Sequence, residues 1–195
     1  MILFRRILVG DQERVFVIRK GRFVRILEPG QYWVWAPGFS LQIERHNVQR
    51  VALESNWSDY LAKEKREIAE QYFKIVETGD SEVGVVSVDN KLHSLIPPGQ
   101  RVLFWKAMSE VRSLMINVTE NPEVPEDLLP ALYRVRSPLV VFATVEQGKT
   151  GLLYNKGKFL KTLAPGAYAF WNAAGTSQVE IVDLRLQTLE IPGQE

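Results

Sequence analysis

The side chains able to do acid–base or metal chemistry are few and scattered. His46 and His93 are the only histidines in 195 residues, and cysteine is absent. Disulfides, thiolate ligands and nucleophilic thiols are therefore excluded. Two imidazoles that share no short-range ligand spacing predict no zinc site. Glu44, Asp89, Glu146 and Asp183 are carboxylates that could face one another as an acid–base pair. Without a pocket to hold them, chance placement on a β protein is the simpler reading. The chain has no G-x-S-x-G elbow, no Gly-rich phosphate loop and no H-E-x-x-H pair. No catalytic residue, metal or cofactor is predicted, and the chain is not expected to be an enzyme.

One cluster does suggest recognition. Arg19, Arg22 and Arg25 lie just ahead of Tyr32-Trp33-Val34-Trp35. Aromatic rings interleaved with basic residues serve single-stranded nucleic acid, and carbohydrate or lipid head groups as well. On a strand, Tyr32 and Val34 point one way, Trp33 and Trp35 the other. One pair therefore faces the core, and the other is covered by a neighbouring unit or left as a contact surface. Residues 1–50 hold nine basic and four acidic side chains, a balance of +5, although the whole chain carries only +1. The basic excess suits contact with anionic lipid, nucleic acid or an acidic neighbour, while the near-neutral whole implies no bulk attraction to nucleic acid. The competing reading is a solvated hairpin face whose charges blunt edge pairing.

The elements that position these residues come in three related copies. Val17–Trp35, Val86–Trp105 and Leu153–Trp171 align on Pro29-Gly30, Pro98-Gly99 and Pro165-Gly166. Eight residues before each proline stands Gly21, Asn90 or Gly157, residues that accept a positive φ in a tight hairpin turn. Six after it stands Trp35, Phe104 or Trp171, and the two tryptophans are expected to be buried. The Pro-Gly pairs fit type II turns, which would place Gly30, Gly99 and Gly166 at positive φ. Repeats of this size decide architecture before any single motif does. The expected class is mainly β (α+β), with three hairpin/Pro-Gly units, one amphipathic connecting helix and a second short helix.

The expected divisions are a first β unit at 1–55, a connecting helix at 56–80, a second β unit at 81–120, a linker with a short helix at 121–138, and a third β unit at 139–195. Ser58 is the expected N-cap of the connecting helix. Leu61, Ile68, Ala69, Tyr72, Phe73 and Val76 form its apolar stripe. Lys63–Glu67, Arg66–Glu70 and Glu70–Lys74 are spaced as ion pairs on the opposite face. Pro125-Glu126-Asp127 suits the start of the short helix, and Ser137-Pro138 its end. No apolar run reaches the ~18 residues of a spanning helix. The expected location is the cytoplasm, peripheral to the inner face of a membrane.

Gly148-Lys149-Thr150-Gly151-Leu152-Leu153, Leu163-Ala164-Pro165-Gly166-Ala167-Tyr168 and the stretch Val179–Glu195 resemble the opening of the SPFH (Band 7) domain of stomatins, prohibitins and flotillins. The likeness is greatest to bacterial slipins, and implies a slipin with a repeated β-rich N-terminal extension. It covers residues 148–195 best, 14–48 less well and 82–118 least, the middle copy lacking the Tyr two residues after its Pro-Gly. The resemblance implies a longer protein that works as a non-catalytic scaffold, through self-association and docking of a client protein or a membrane protease. The hydrophobic anchor hairpin of many stomatins is not found in these residues. The other reading is a binding module for a sugar, lipid head group or nucleic acid, built on the basic, aromatic first copy.

Overall fold

The computed structural model describes residues 4–36, 40–119, 122–173, 175 and 177–185. These residues are mostly β, arranged in small antiparallel sheets with three short α-helices. The first strands are β1 (Phe4–Val9), β2 (Glu13–Arg19), β3 (Arg22–Leu27), β4 (Gly30–Trp35) and β5 (Leu41–Asn47). β1 pairs with β4, and β2 runs between β3 and β5. After α1 (Ser58–Glu64) and α2 (Arg66–Tyr72) come β6 (Phe73–Glu77), β7 (Glu82–Val88), β8 (Lys91–Ile96), β9 (Arg101–Trp105) and β10 (Val111–Asn117). Here β6 pairs with β9, and β7 runs between β8 and β10. A 3-10 turn at Glu126–Leu128 and α3 (Leu129–Val135) lead into β11 (Val140–Val145), β12 (Lys149–Asn155), β13 (Lys158–Leu163), β14 (Gly166–Trp171) and β15 (Ser177–Asp183). β11 pairs with β14, and β12 runs between β13 and β15. One strand order therefore occurs three times: first with fourth, second between third and fifth.

The chain divides into two compact units. One comprises residues 1–77, 87–90 and 100–113; the other comprises 78–86, 91–99 and 114–195. In the first unit, Ile7, Val9 and Val34 of the β1–β4 pair close on Val15, Val17, Leu27 and Leu41 of the β3–β2–β5 sheet. The opposite face of that sheet carries Phe16, Ile18, Phe23 and Ile26. They pack against Leu61, Ala62 and Ala69 of the helices and Phe73, Leu103 and Trp105 of the β6–β9 pair. In the second unit, Val83 and Val85 pack with Leu132, Val140, Ala169 and Trp171. Val145, Leu153, Leu163 and Phe170 form a further cluster. Burial of each such side chain contributes roughly 1.5–3 kcal/mol. Strands β2 and β7 are rich in β-branched or apolar residues because both of their faces are covered over much of their length, whereas β12 buries Gly151 and Leu153 on one face only.

Three hairpin turns place two consecutive residues at positive φ: Lys20-Gly21 (50° and 71°), Asp89-Asn90 (50° and 62°) and Lys156-Gly157 (51° and 72°). That is the two-residue turn whose twist suits the flanking strands. Of the Pro-Gly pairs, two have the expected positive φ at glycine and one does not. Gly99 has φ 68° in a turn, and Gly30 has φ 146° as the first residue of β4. Gly166 takes no positive φ, so a type II turn is not its conformation. Gly30 and Gly166 instead begin strands beneath a ring. A Cβ on either would lie 3.5 Å from the Tyr32 ring or 3.4 Å from that of Tyr168. The middle copy has Val102 where the ring would be, and its glycine is free to turn.

The connecting helix is also corrected. Its N-cap is Trp57 without a side-chain bond, and Ser58 Oγ donates to Ser55 O at 2.7 Å. The helix breaks at Lys65, and Phe73–Glu77 forms β6 rather than a last turn. Phe73, Ile75 and Val76 suit a strand as well as a helical stripe, and pairing with Arg101–Trp105 decides between them. Of the three expected ion pairs, Arg66–Glu70 closes, at 2.7 Å, among the described residues.

Candidate interaction surface

Register fixes which positions correspond. Phe4 lies opposite Trp35, Phe73 opposite Trp105, and Val140 opposite Trp171. Trp105, not Phe104, therefore matches Trp35 and Trp171, because the middle copy holds one more residue between its Pro-Gly and that position. Trp105 and Trp171 are buried at 2% exposure, whereas Trp35 is 48% exposed and Trp33 63%. The expected burial of Trp35 is overturned, and the reason lies in what packs on the strand. Leu103 and Trp105 join the core with Phe16 and Phe23, and Ala169 and Trp171 join the core with Val83 and Val85. No described residue buries Trp33 and Trp35 in the same way.

The strand edges differ in the same sense. Leu53 N donates to Leu103 O, and Trp105 N to Val51 O, both at 2.8 Å. Thus Val51–Leu53 lies antiparallel along the outer edge of β9, bridged at Ala52–Phe104. Val124 N donates to Ala169 O at 3.0 Å and Trp171 N to Pro122 O at 2.8 Å, bridged at Glu123–Phe170. Among the described residues no segment pairs with the corresponding edge of β4.

The face of the β1–β4 pair that holds Trp33 and Trp35 also carries Phe4, Arg6, Leu8 and Gln31, all exposed. Arg6 donates to Gln31 Oε1 at 2.9 Å. Arg19 donates to Trp35 O at 2.9 Å, with its guanidinium 5.4 Å from the centre of the Trp35 ring. Tyr32 turns to the other side and is half-buried against Ile7, Val34 and their neighbours. Arg22 lies opposite Arg19 in register and Arg25 opposite Val17, and both are exposed. The structure thus joins Arg19 and Trp35 directly, while Arg22 and Arg25 stand on the β3–β2–β5 sheet. Sequence reasoning missed Leu8 as a member of the patch. Its alternation with Ile7 and Val9 was the available signal.

The candidate carboxylates do not pair with one another. Glu44 Oε1 lies 2.9 Å from His46 Nε2, Asp89 accepts the Glu110 N–H at 2.9 Å, Glu146 meets Lys149 at 2.7 Å, and Asp183 meets Arg185 at 2.6 Å. Among the described residues no group of three His, Asp or Glu side chains is placed to hold a metal. His46 packs its ring 4.4 Å from Phe16, and burial pushes its pKa below the ordinary value although Glu44 pulls the other way. Among the described residues no helix is long and apolar enough to cross a membrane. Comparison with protein-family models, with curated proteins and with solved structures finds no match.

Proposed function

We propose that this chain is a non-catalytic assembly module made of three copies of one β unit, acting by self-association and protein docking. The observation that carries this reading is the double use of one packing scheme. The outer face of β3–β2–β5 receives the β6–β9 pair in one core, and Val83 and Val85 of β7 meet the β11–β14 pair in another. A unit whose outward faces are shaped to receive the next unit suits stacking. The shared turn pairs Lys20-Gly21, Asp89-Asn90 and Lys156-Gly157 support common descent of the three copies. The residues quoted from 148–195 support kinship with slipin-like SPFH scaffolds, which would set the work at or near a membrane. Sedimentation velocity over a wide concentration range tests the reading. Reversible, concentration-dependent association is expected, and a single unchanging monomer boundary would overturn it.

The second reading keeps the first copy as a binding face for a sugar or lipid head group. Exposure of Trp33 and Trp35 beside Arg19 favours it. A glycan and lipid panel separates the two, since saturable binding by a monomer would favour this one.

A further inference from the structure

We infer that copies of this chain join head to tail, the exposed face of β1–β4 on one copy receiving the outer face of β13–β12–β15 on another. The inference rests on the assembly reading above and specifies its mode. The head is the patch of Phe4, Leu8, Trp33 and Trp35 with the open edge of β4. The register counterparts of Phe4, Trp33 and Trp35 are covered in the other two copies by residues of the preceding copy and of the link between the two, whereas those of Leu8, which are Glu77 and Thr144, are exposed. In the first core the covering residues are Phe16, Ile18, Phe23 and Ile26.

The tail is defined by the same register. Glu13 pairs with Asn47 and Lys149 with Asp183, over seven-residue strands, so Phe16 and Ile18 correspond to Leu152 and Tyr154. Both hairpins carry a bulge at the same step, Val17/Ile18 and Leu153/Tyr154, which makes Phe159 the counterpart of Phe23. Phe23 is 7% exposed under the next unit, whereas Phe159 is 54% exposed. Tyr154 and Phe159 already stand edge to face at 5.9 Å. The exit from this sheet repeats as well. Val48 N donates to Gln12 O, Val118 N to Ser81 O, and Leu184 N to Gly148 O, at 2.9–3.0 Å. Asn47, Asn117 and Asp183 then each accept, through Oδ1, the N–H two residues on. Val48 is 2% exposed, packed in the core that holds Leu53 and Leu61, while Leu184 is 64% exposed.

Among the described residues, therefore, the β1–β4 face has no cover and the outer β13–β12–β15 face has no target. A second copy supplies both, with Leu152, Tyr154 and Phe159 matching Phe16, Ile18 and Phe23, and Thr162 in the place of Ile26. Such a contact joins two different surfaces, so it leaves a free head and a free tail after each addition. The pattern is extension into a chain or closure into a ring, not a two-fold dimer.

The absence of cysteine makes the test clean. Trp33→Cys and Phe159→Cys are prepared separately, both at exposed positions. Mild oxidation of their mixture should give a covalent heterodimer, with each alone giving no more than background. Cross-linking of the Trp33→Cys protein alone would mean head-to-head pairing and overturn the inference while leaving self-association intact. A blocked pair gives a second readout. Trp33→Glu/Trp35→Glu removes the head and Phe159→Glu/Leu184→Glu the tail. Each should lose association alone, and the 1:1 mixture should stop at two chains. A mixture that stays monomeric, with both variants folded by circular dichroism, also overturns it. If the parent chain never associates, the assembly reading fails first and this inference with it.

Discussion

Arg19 lays its guanidinium 5.4 Å from the centre of the Trp35 ring and donates a hydrogen bond to the carbonyl of the same residue at 2.9 Å. The side chain of β2 thus shields part of a ring that no core receives. A cation over an exposed ring is worth about 0.5–1 kcal/mol. A tryptophan enclosed on all sides is worth several times that. The two terms explain how equivalent positions can hold the same residue for different purposes.

Trp171→Ala should destabilise the chain by about 3–5 kcal/mol, since the ring is 2% exposed in the core with Val83, Leu132 and Val140. Trp35→Ala should cost about 1 kcal/mol or less. Denaturant unfolding of the two variants checks this. Equal losses would show that Trp35 is covered in solution.

Gly151→Ala should cost about 1–3 kcal/mol through overpacking. Its Cβ would meet Val145 Cγ2 at 3.0 Å and Leu163 Cβ at 3.1 Å. Gly166→Ala should be milder, because its nearest neighbour is the Tyr168 ring at 3.4 Å and its φ is not positive. Thermal melts rank the pair, and the reverse order would contradict the packing described for β12.

Burial holds the His46 pKa below its ordinary value, with Glu44 opposing in part. The folded chain therefore binds fewer protons at this site than the unfolded chain does. The stability this confers is fully present above about pH 6.5, the unfolded value, and is lost as pH falls through the folded value. His46→Gln should show a shallower loss of stability below pH ~6.5 than the parent. Urea midpoints between about pH 5 and pH 8 provide the measurement, and parallel curves would rule His46 out as the source.

Arg22 and Arg25 are exposed on β3. Weak adhesion to vesicles containing anionic lipid is expected at low salt. It should fade as ionic strength rises and the Debye length shrinks toward ~3 Å at 1 M. Arg22→Glu/Arg25→Glu should abolish it in flotation assays. Adhesion that resists high salt would point to apolar insertion at the Phe4, Leu8, Trp33 and Trp35 patch instead.

Local structure was legible in the residues alone. Lys20-Gly21, Asp89-Asn90 and Lys156-Gly157 turn because glycine and asparagine accept a positive φ cheaply, and the flanking alternation makes strands. The short helix ends where Arg136 takes φ 45° just ahead of Ser137-Pro138. The third β unit is expected from residue 139, and β11 begins at Val140. Which faces and edges find partners was settled only by folding. Phe73–Glu77 fits either a helix or a strand until Arg101–Trp105 lies beside it. Gly166 comes after proline as Gly99 does, yet the Tyr168 ring holds it extended. Trp35 and Trp171 share a local pattern and a register position, and only the second is buried. Burial depends on a surface from elsewhere in the chain, or from another molecule, arriving over the ring. Local spacing carries no record of that arrival.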